Sequence, residues 1–195
     1  MSSRSLSFGG LCHGAIAGAV GGLAASWVMN QFIIATQRRA EQAGADRSER
    51  QQARQPNSSA SSPQQQKEKR QKEGNGGGED ATVKTAEAIS RNLFDHELSQ
   101  KEKEIAGPVV HYAYGALIGS VYGAIAEAWP TIATGFGMPY GVAVWALGDE
   151  IAVPALRLGP PPTEVPAEKH ADFLAAHIVY GIALDVSRRV ARHVV

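Results

Sequence analysis

"HYAYGALIGSVYGAIAEAWP", residues 111–130, opens on His111, carries Glu127 near its end and places Gly115, Gly119 and Gly123 at every fourth position. The stretch is almost free of charge. Small residues at i and i+4 let a second backbone come close, which is how helices associate where lipid removes the gain from apolar burial. A titratable group at each end of such a helix needs a polar partner or water. The stretch therefore predicts a membrane, helices packed through glycine and a polar interior.

The same ladder recurs upstream. Residues 11–35, "LCHGAIAGAVGGLAASWVMNQFIIA", carry no formal charge beyond His13 and set Gly14, Gly18 and Gly22 four apart. A helix of about 20 residues crosses a hydrocarbon core of roughly 30 Å. A signal peptide behind Arg4 is the rival reading, but the apolar run is too long and no small-x-small cleavage site follows it. The second predicted span is 109–129 and the third 132–156, joined by "PT" as a tight antiparallel hairpin, with Pro139 kinking the third. "KHADFLAAHIVYGIALDVSRRVARH" supplies the fourth, apolar only over 173–184. Gly137 and Gly141 make a shorter ladder, and Gly181 lies in the fourth helix. Packing within one chain explains the ladders, and homodimerisation through one of them is the alternative.

Average composition conceals this. The chain of 195 residues balances 19 Lys and Arg against 19 Asp and Glu, and its pI of about 7.0 and mean hydropathy of −0.19 read as soluble. Residues 36–108 hold 13 of those 19 basic and 12 of those 19 acidic residues. The organisation expected is an N-terminal tail and first helix over 1–35, a polar loop over 36–80, an amphipathic surface helix region over 81–107, and three further helices with a short basic tail over 108–195. The loop is rich in Gln, Ser and Gly and lacks aromatics. It buries too little to offset chain ordering, so it is expected to be disordered from residue 40. Val83, Ala86, Ile89, Leu93 and Phe94 then fall at helical spacing, and Gly107-Pro108 is expected to end that helix. The even charge, with no basic patch among aromatics, argues against nucleic acid as a partner. The partner implied is the lipid bilayer.

Four spans put both termini on one side. Among short segments, Arg4, Arg188, Arg189 and Arg192 lie with the termini, and Arg157 and Lys169 lie opposite. The count predicts cytoplasmic termini and an inner-membrane location.

Charge inside a bilayer is expensive and usually faces the bundle interior. On the fourth helix His177, Gly181 and Asp185 repeat at four, and His170 precedes His177 by a heptad. Asp149 and Glu150 sit in the third span, and His111 approaches the same side. Glu127, beside Trp129, is read as wet. The expected interior cluster is His111, Asp149, Glu150, His170, His177 and Asp185. Three uses compete for it: hydrogen bonding that fixes the bundle, a proton- or ion-responsive site, and a metal or haem site. No ligand-spaced motif favours the last, and Cys12 is the one cysteine, so no metal or cofactor is expected. G-x-S-x-G, phosphate-loop and dinucleotide fingerprints are absent, which argues against an enzyme. "HYAYG" and "HIVYG", at 111–115 and 177–181, share H-x-x-Y-G and hint at a duplicated two-helix unit.

The chain resembles the YagU-like family of bacterial inner-membrane proteins. The resemblance rests on Pro154 ending the third span, the Leu-Gly-Pro-Pro segment at 158–161, then His177, Asp185 and Arg188-Arg189, with "GAIAGAVGGLAASWVMNQF" like that family's first helix. It implies cytoplasmic termini, no established biochemical activity and a link with acid resistance. The Gln/Ser-rich loop and the Asp149-Glu150 pair depart from it. The expected fold is all-α, a four-helix transmembrane bundle. The expected function is non-enzymatic and tied to acid or envelope stress. The alternative is a small proton-coupled transporter or channel using His111, Glu150 and His177.

Overall fold

A computed structural model describes residues 7–54 and 78–194. Those residues are mostly helical, with no strand among them. The helices are α1 (Phe8–Arg54), α2 (Gly78–Phe94), α3 (Gln100–Ala128), α4 (Met138–Leu147) and α5 (Ala167–Ala191). Two stretches, Phe8–Arg47 and Gln100–Ala128, are long and apolar enough to cross a membrane, with mean hydropathies of 1.4 and 1.3 over their most apolar windows.

The glycine ladders meet each other. Gly14 lies against Gly123, Gly18 against Gly119, and Gly22 against Gly115, so α1 and α3 run antiparallel with their backbones in contact. A Cβ at Gly18 would overlap the Gly119 carbonyl oxygen, and one at Gly119 the Gly18 carbonyl oxygen. These two ladder faces thus meet within one chain. Gly21, on the next face of α1, lies under the backbone of Leu184 and Arg188 in α5. α5 packs on α4 in the same manner: Gly137, capping α4, and Gly141 within it face Gly181 and His177 of α5. Gly137 is also left-handed at φ +75°, so glycine is required there twice over. Between the seams sits a small core of Ala25, Met29, Tyr122, Ala176, Tyr180 and Leu184.

Several expected boundaries move. The loop predicted over 36–80 begins as helix: α1 continues 47 residues to Arg54, about 70 Å at the α-helical rise. Ala, Glu, Gln and Arg dominate that extension and are strong helix formers. Thr36 marks the crossover by returning its hydroxyl to the Ile33 carbonyl at 2.8 Å. The rest of the predicted disorder, 55–77, lies outside the described residues.

Gly107-Pro108 does not end the amphipathic helix. That helix ends at Phe94, and α3 starts eight residues before Pro108, which sits inside it. The start is a capping box. Glu102 accepts the Ser99 amide at 2.7 Å, and the Ser99 hydroxyl accepts the Glu102 amide at 3.4 Å. S-x-x-E was present in the sequence as that signal. α2 folds back on the first turns of α3: Val83 approaches Gly107, and Lys103 pairs with Glu87.

The third span is not one continuous α-helix from residue 132. Pro130–Ala133 form a 3₁₀ turn, and Gly135, Phe136 and Gly137 are all left-handed. Pro139 then begins α4 in its first turn, where its missing amide costs nothing, rather than kinking it. After Leu147 the helix widens into a π turn, Gly148–Ala152, and closes with one α turn, Val153–Ala155.

Candidate functional site

The π turn arises beside a proline. Pro154 offers no amide to the carbonyl four residues back, that of Glu150, so the ladder slips and the Val153 amide reaches Gly148 instead. The slip carries Asp149 and Glu150 to α5 at two different levels. Glu150 Oε1 lies 2.6 Å from His170 Nδ1. Asp149 Oδ2 lies 3.6 Å from His177 Nδ1, a charge contact beyond hydrogen-bond length. His177 Nδ1 instead donates to the Phe173 carbonyl at 2.9 Å, one turn back. Two neighbouring carboxylates thereby reach histidines a heptad apart, about 10 Å along α5. Tyr114 of α3 places its hydroxyl over Gly148.

Asp185 belongs to a second cluster. It is fully buried and accepts from Tyr122 Oη at 3.0 Å, Arg188 Nη2 at 3.1 Å and Arg189 Nε at 2.9 Å. Glu127 is not wet. Its side chain is 10% exposed, paired with Arg192 Nη2 at 2.8 Å and lying 3.8 Å from Arg188 Nη1. Its Oε1 and Arg188 Nε are buried without a hydrogen-bond partner among the described residues. Arg188 also lies over the Tyr122 ring, 5.6 Å from its centroid, and Arg189 over Phe136 at 5.9 Å.

The expected single cluster is therefore two. The structure brings together Asp149, Glu150, His170 and His177 at one end, and places Asp185 at the other. His111, on α3, packs edge-on against Tyr112 at 5.6 Å. Sequence reasoning missed Glu127, Tyr122 and the three arginines as partners, though D-x-x-R-R from Asp185 carried the i+3 and i+4 spacing. Tyrosines also stitch the helices: Tyr180 Oη donates to the Gly115 carbonyl at 2.8 Å and Tyr140 Oη to that of Ile118 at 2.8 Å. Among the described residues no three His, Cys, Asp or Glu side chains gather as metal ligands would.

Over the described residues these features define an all-helical protein with two helices long and apolar enough to cross a membrane and a polar cluster at each end of its packed helices. A family model described as "Protein of unknown function (DUF1440)" matches residues 86–186, and the chain belongs to that family. The match runs from α2 through the π turn to the Asp185 region of α5. No curated protein and no solved structure matches the chain.

Proposed function

We propose that this chain is a multi-pass inner-membrane protein of the YagU-like kind, non-enzymatic, serving acid or envelope stress, with the polar groups fixing the bundle. The apolar segments 11–35, 109–129, 138–155 and 173–184 would cross the bilayer, leaving 36–54, 78–107 and 157–172 outside it. The observation that carries this reading is the α1–α3 seam. Six glycines hold two backbones in contact, with exposed Ile16, Val20, Leu117 and Val121 around them. Outward apolar side chains around a close-packed glycine interface suit lipid better than water. Gly14 at Glu127 and Gly21 at Arg188 put the first and last helices' outer ends together, which supports termini on one side.

A second reading, a small proton-coupled transporter or channel, is favoured by one feature, the four ionisable side chains at the π turn. Tyr122, Tyr180 and Leu184, all buried, fill the interior between that turn and Asp185. That packing favours the bundle-fixing role.

The test is purified protein in liposomes carrying an imposed pH gradient, wild type beside His177→Ala and Glu150→Gln. The proposal expects gradients to collapse no faster than in protein-free vesicles. Leakage that both substitutions abolish would replace it with the conduction reading.

A further inference from the structure

His170 has two ring nitrogens, and each touches an oxygen. Nδ1 lies 2.6 Å from Glu150 Oε1 and Nε2 lies 3.0 Å from the Pro162 carbonyl. A carbonyl and an ionised carboxylate only accept, whereas a neutral imidazole has one N–H and one lone pair. Neutral His170 beside ionised Glu150 would thus set a lone pair against an acceptor at one of the two contacts. One added proton satisfies both, either as imidazolium donating twice or as a Glu150 carboxyl donating to Nδ1 while Nε2–H keeps Pro162.

What the contact holds is a loop. Residues 156–166 leave the last turn after the π turn and fold back on it: the Leu158 amide reaches the Val153 carbonyl at 2.9 Å. Gly159 comes so close to Val153 that a Cβ there would meet its Cγ1 at 2.8 Å. Pro162–Glu164 form a 3₁₀ turn at the loop's middle, and His170 grips that turn from α5. We propose that His170 and Glu150 share a proton that latches the 156–166 loop to the π turn, and that losing this proton as pH rises releases the loop.

The groups around His170 fit the assignment. Glu150 faces it from the π turn, while its neighbour Asp149 faces His177. The loop offers the Pro162 and Val165 carbonyls and carries Arg157 and Glu164; α5 itself carries Glu168, Lys169 and Asp172 on the flanking turns, and α3 contributes Tyr114 at Gly148. His170 precedes the apolar part of α5. Its pKa is raised above the ordinary 6.5, first by the Glu150 bond and then by the Pro162 carbonyl, with burial opposing both. A raised imidazole pKa means the latch is complete below the ordinary value and is lost as pH climbs through the higher one. The inference holds whether or not the bundle conducts protons.

Hydrogen exchange of the full chain in lipid nanodiscs tests it, reading the amides of Leu158, Gly159, Thr163, Glu164 and Val165 from pH 5.5 to 9 after correction for intrinsic rates. Protection should fall about tenfold across the His170 titration, the low end for one charged hydrogen bond. Histidine ¹⁵N and Glu150 carboxyl ¹³C shifts in the same samples should show one shared proton at pH 6, as an imidazolium or as a protonated Glu150 beside an Nε2–H imidazole. His170→Arg should keep the loop protected at pH 9, and His170→Gln should leave it weakly protected throughout. A flat wild-type profile, a neutral His170 beside ionised Glu150 at pH 6, or a pH step that survives in His170→Gln would overturn the latch. If His170→Gln fails to fold, the wild-type profile and shifts still decide.

Discussion

At one end of the packed helices Asp185 is fully buried and meets a tyrosine and two arginines, and Glu127 meets a third arginine. At the other end Glu150 meets His170 with both side chains about a quarter exposed, at 22% and 25%. Arginine stays charged at any physiological pH, whereas histidine does not. The arginine end is therefore held by cations that stay charged across physiological pH, with Asp185 buried while Arg189 and Arg192 reach solvent, and the π-turn end is a conditional one. The difference lies in residue type and depth together: a permanent charge is tolerated at 0% exposure only because Asp185 has partners on every side.

The largest effect should come from the seam that lies between the two ends. Gly119→Leu would drive a side chain into the Gly18 carbonyl and the Gly22 backbone, losing about 3 kcal/mol or more. Thermal unfolding in detergent should show no cooperative transition, while Leu117→Ala, at a position 61% exposed, should leave it unchanged. A folded Gly119→Leu protein would mean that the ends, and not the seam, hold the helices together.

Asp185→Ala comes next. It leaves Arg188 buried without its nearest carboxylate, which costs about 3 kcal/mol, the low end for a broken buried pair, because Glu127 still lies 3.8 Å away. His177→Ala, at the opposite end, removes a hydrogen bond to a carbonyl on its own helix and should cost about 1–2 kcal/mol. Denaturation of both variants at one pH ranks the ends directly. Equal losses would erase the distinction drawn between them.

The smallest effect belongs outside both clusters, at the start of α3. Ser99→Ala removes the cap and should lose the roughly 1 kcal/mol typical of an N-cap. Glu102 there is held down to about 2, chiefly by the Ser99 hydroxyl, then by the Ser99 amide and His96. A depressed carboxyl pKa contributes stability in full above the ordinary 4.5 and loses it as pH falls toward about 2. Acid titration of wild type should therefore destabilise α3 only in that low window, opposite in sign to the π-turn end. Loss of the cap already near pH 6 would contradict this.

Much of this was legible along the chain, for reasons the residues make plain. A ladder of glycines four apart must face a neighbour's backbone, so Gly14, Gly18, Gly22, Gly115, Gly119 and Gly123 were readable as packing positions. Which ladder faced which was not, since spacing carries no partner. His177, Gly181 and Asp185 were readable as one inward stripe, and all three are buried. Their division between two clusters depends on length along α5, which periodicity alone ignores. The π turn was hidden because a slipped ladder is decided by what packs around it, though Pro154 four residues beyond Glu150 was a trace. Polar composition misled at 36–54, where Ala, Glu, Gln and Arg read as loop but favour helix just as well. Arg188, Arg189 and Arg192 read as topology signals, which hides the i+3 and i+4 reach of the first two to Asp185 and the pairing of the third with Glu127.

The unbroken run of α1 beyond the seam has a mechanical consequence. Core packing holds α1 as far as Ile33, and from Thr36 the helix continues to Arg54, about 27 Å at the α-helical rise. A rod of that length is a lever based in the core, and a rocking of roughly 5° at its base would swing its tip by about 2 Å. Small adjustments where α1 meets the other helices would be read out at the tip as a displacement close to the size of a water molecule.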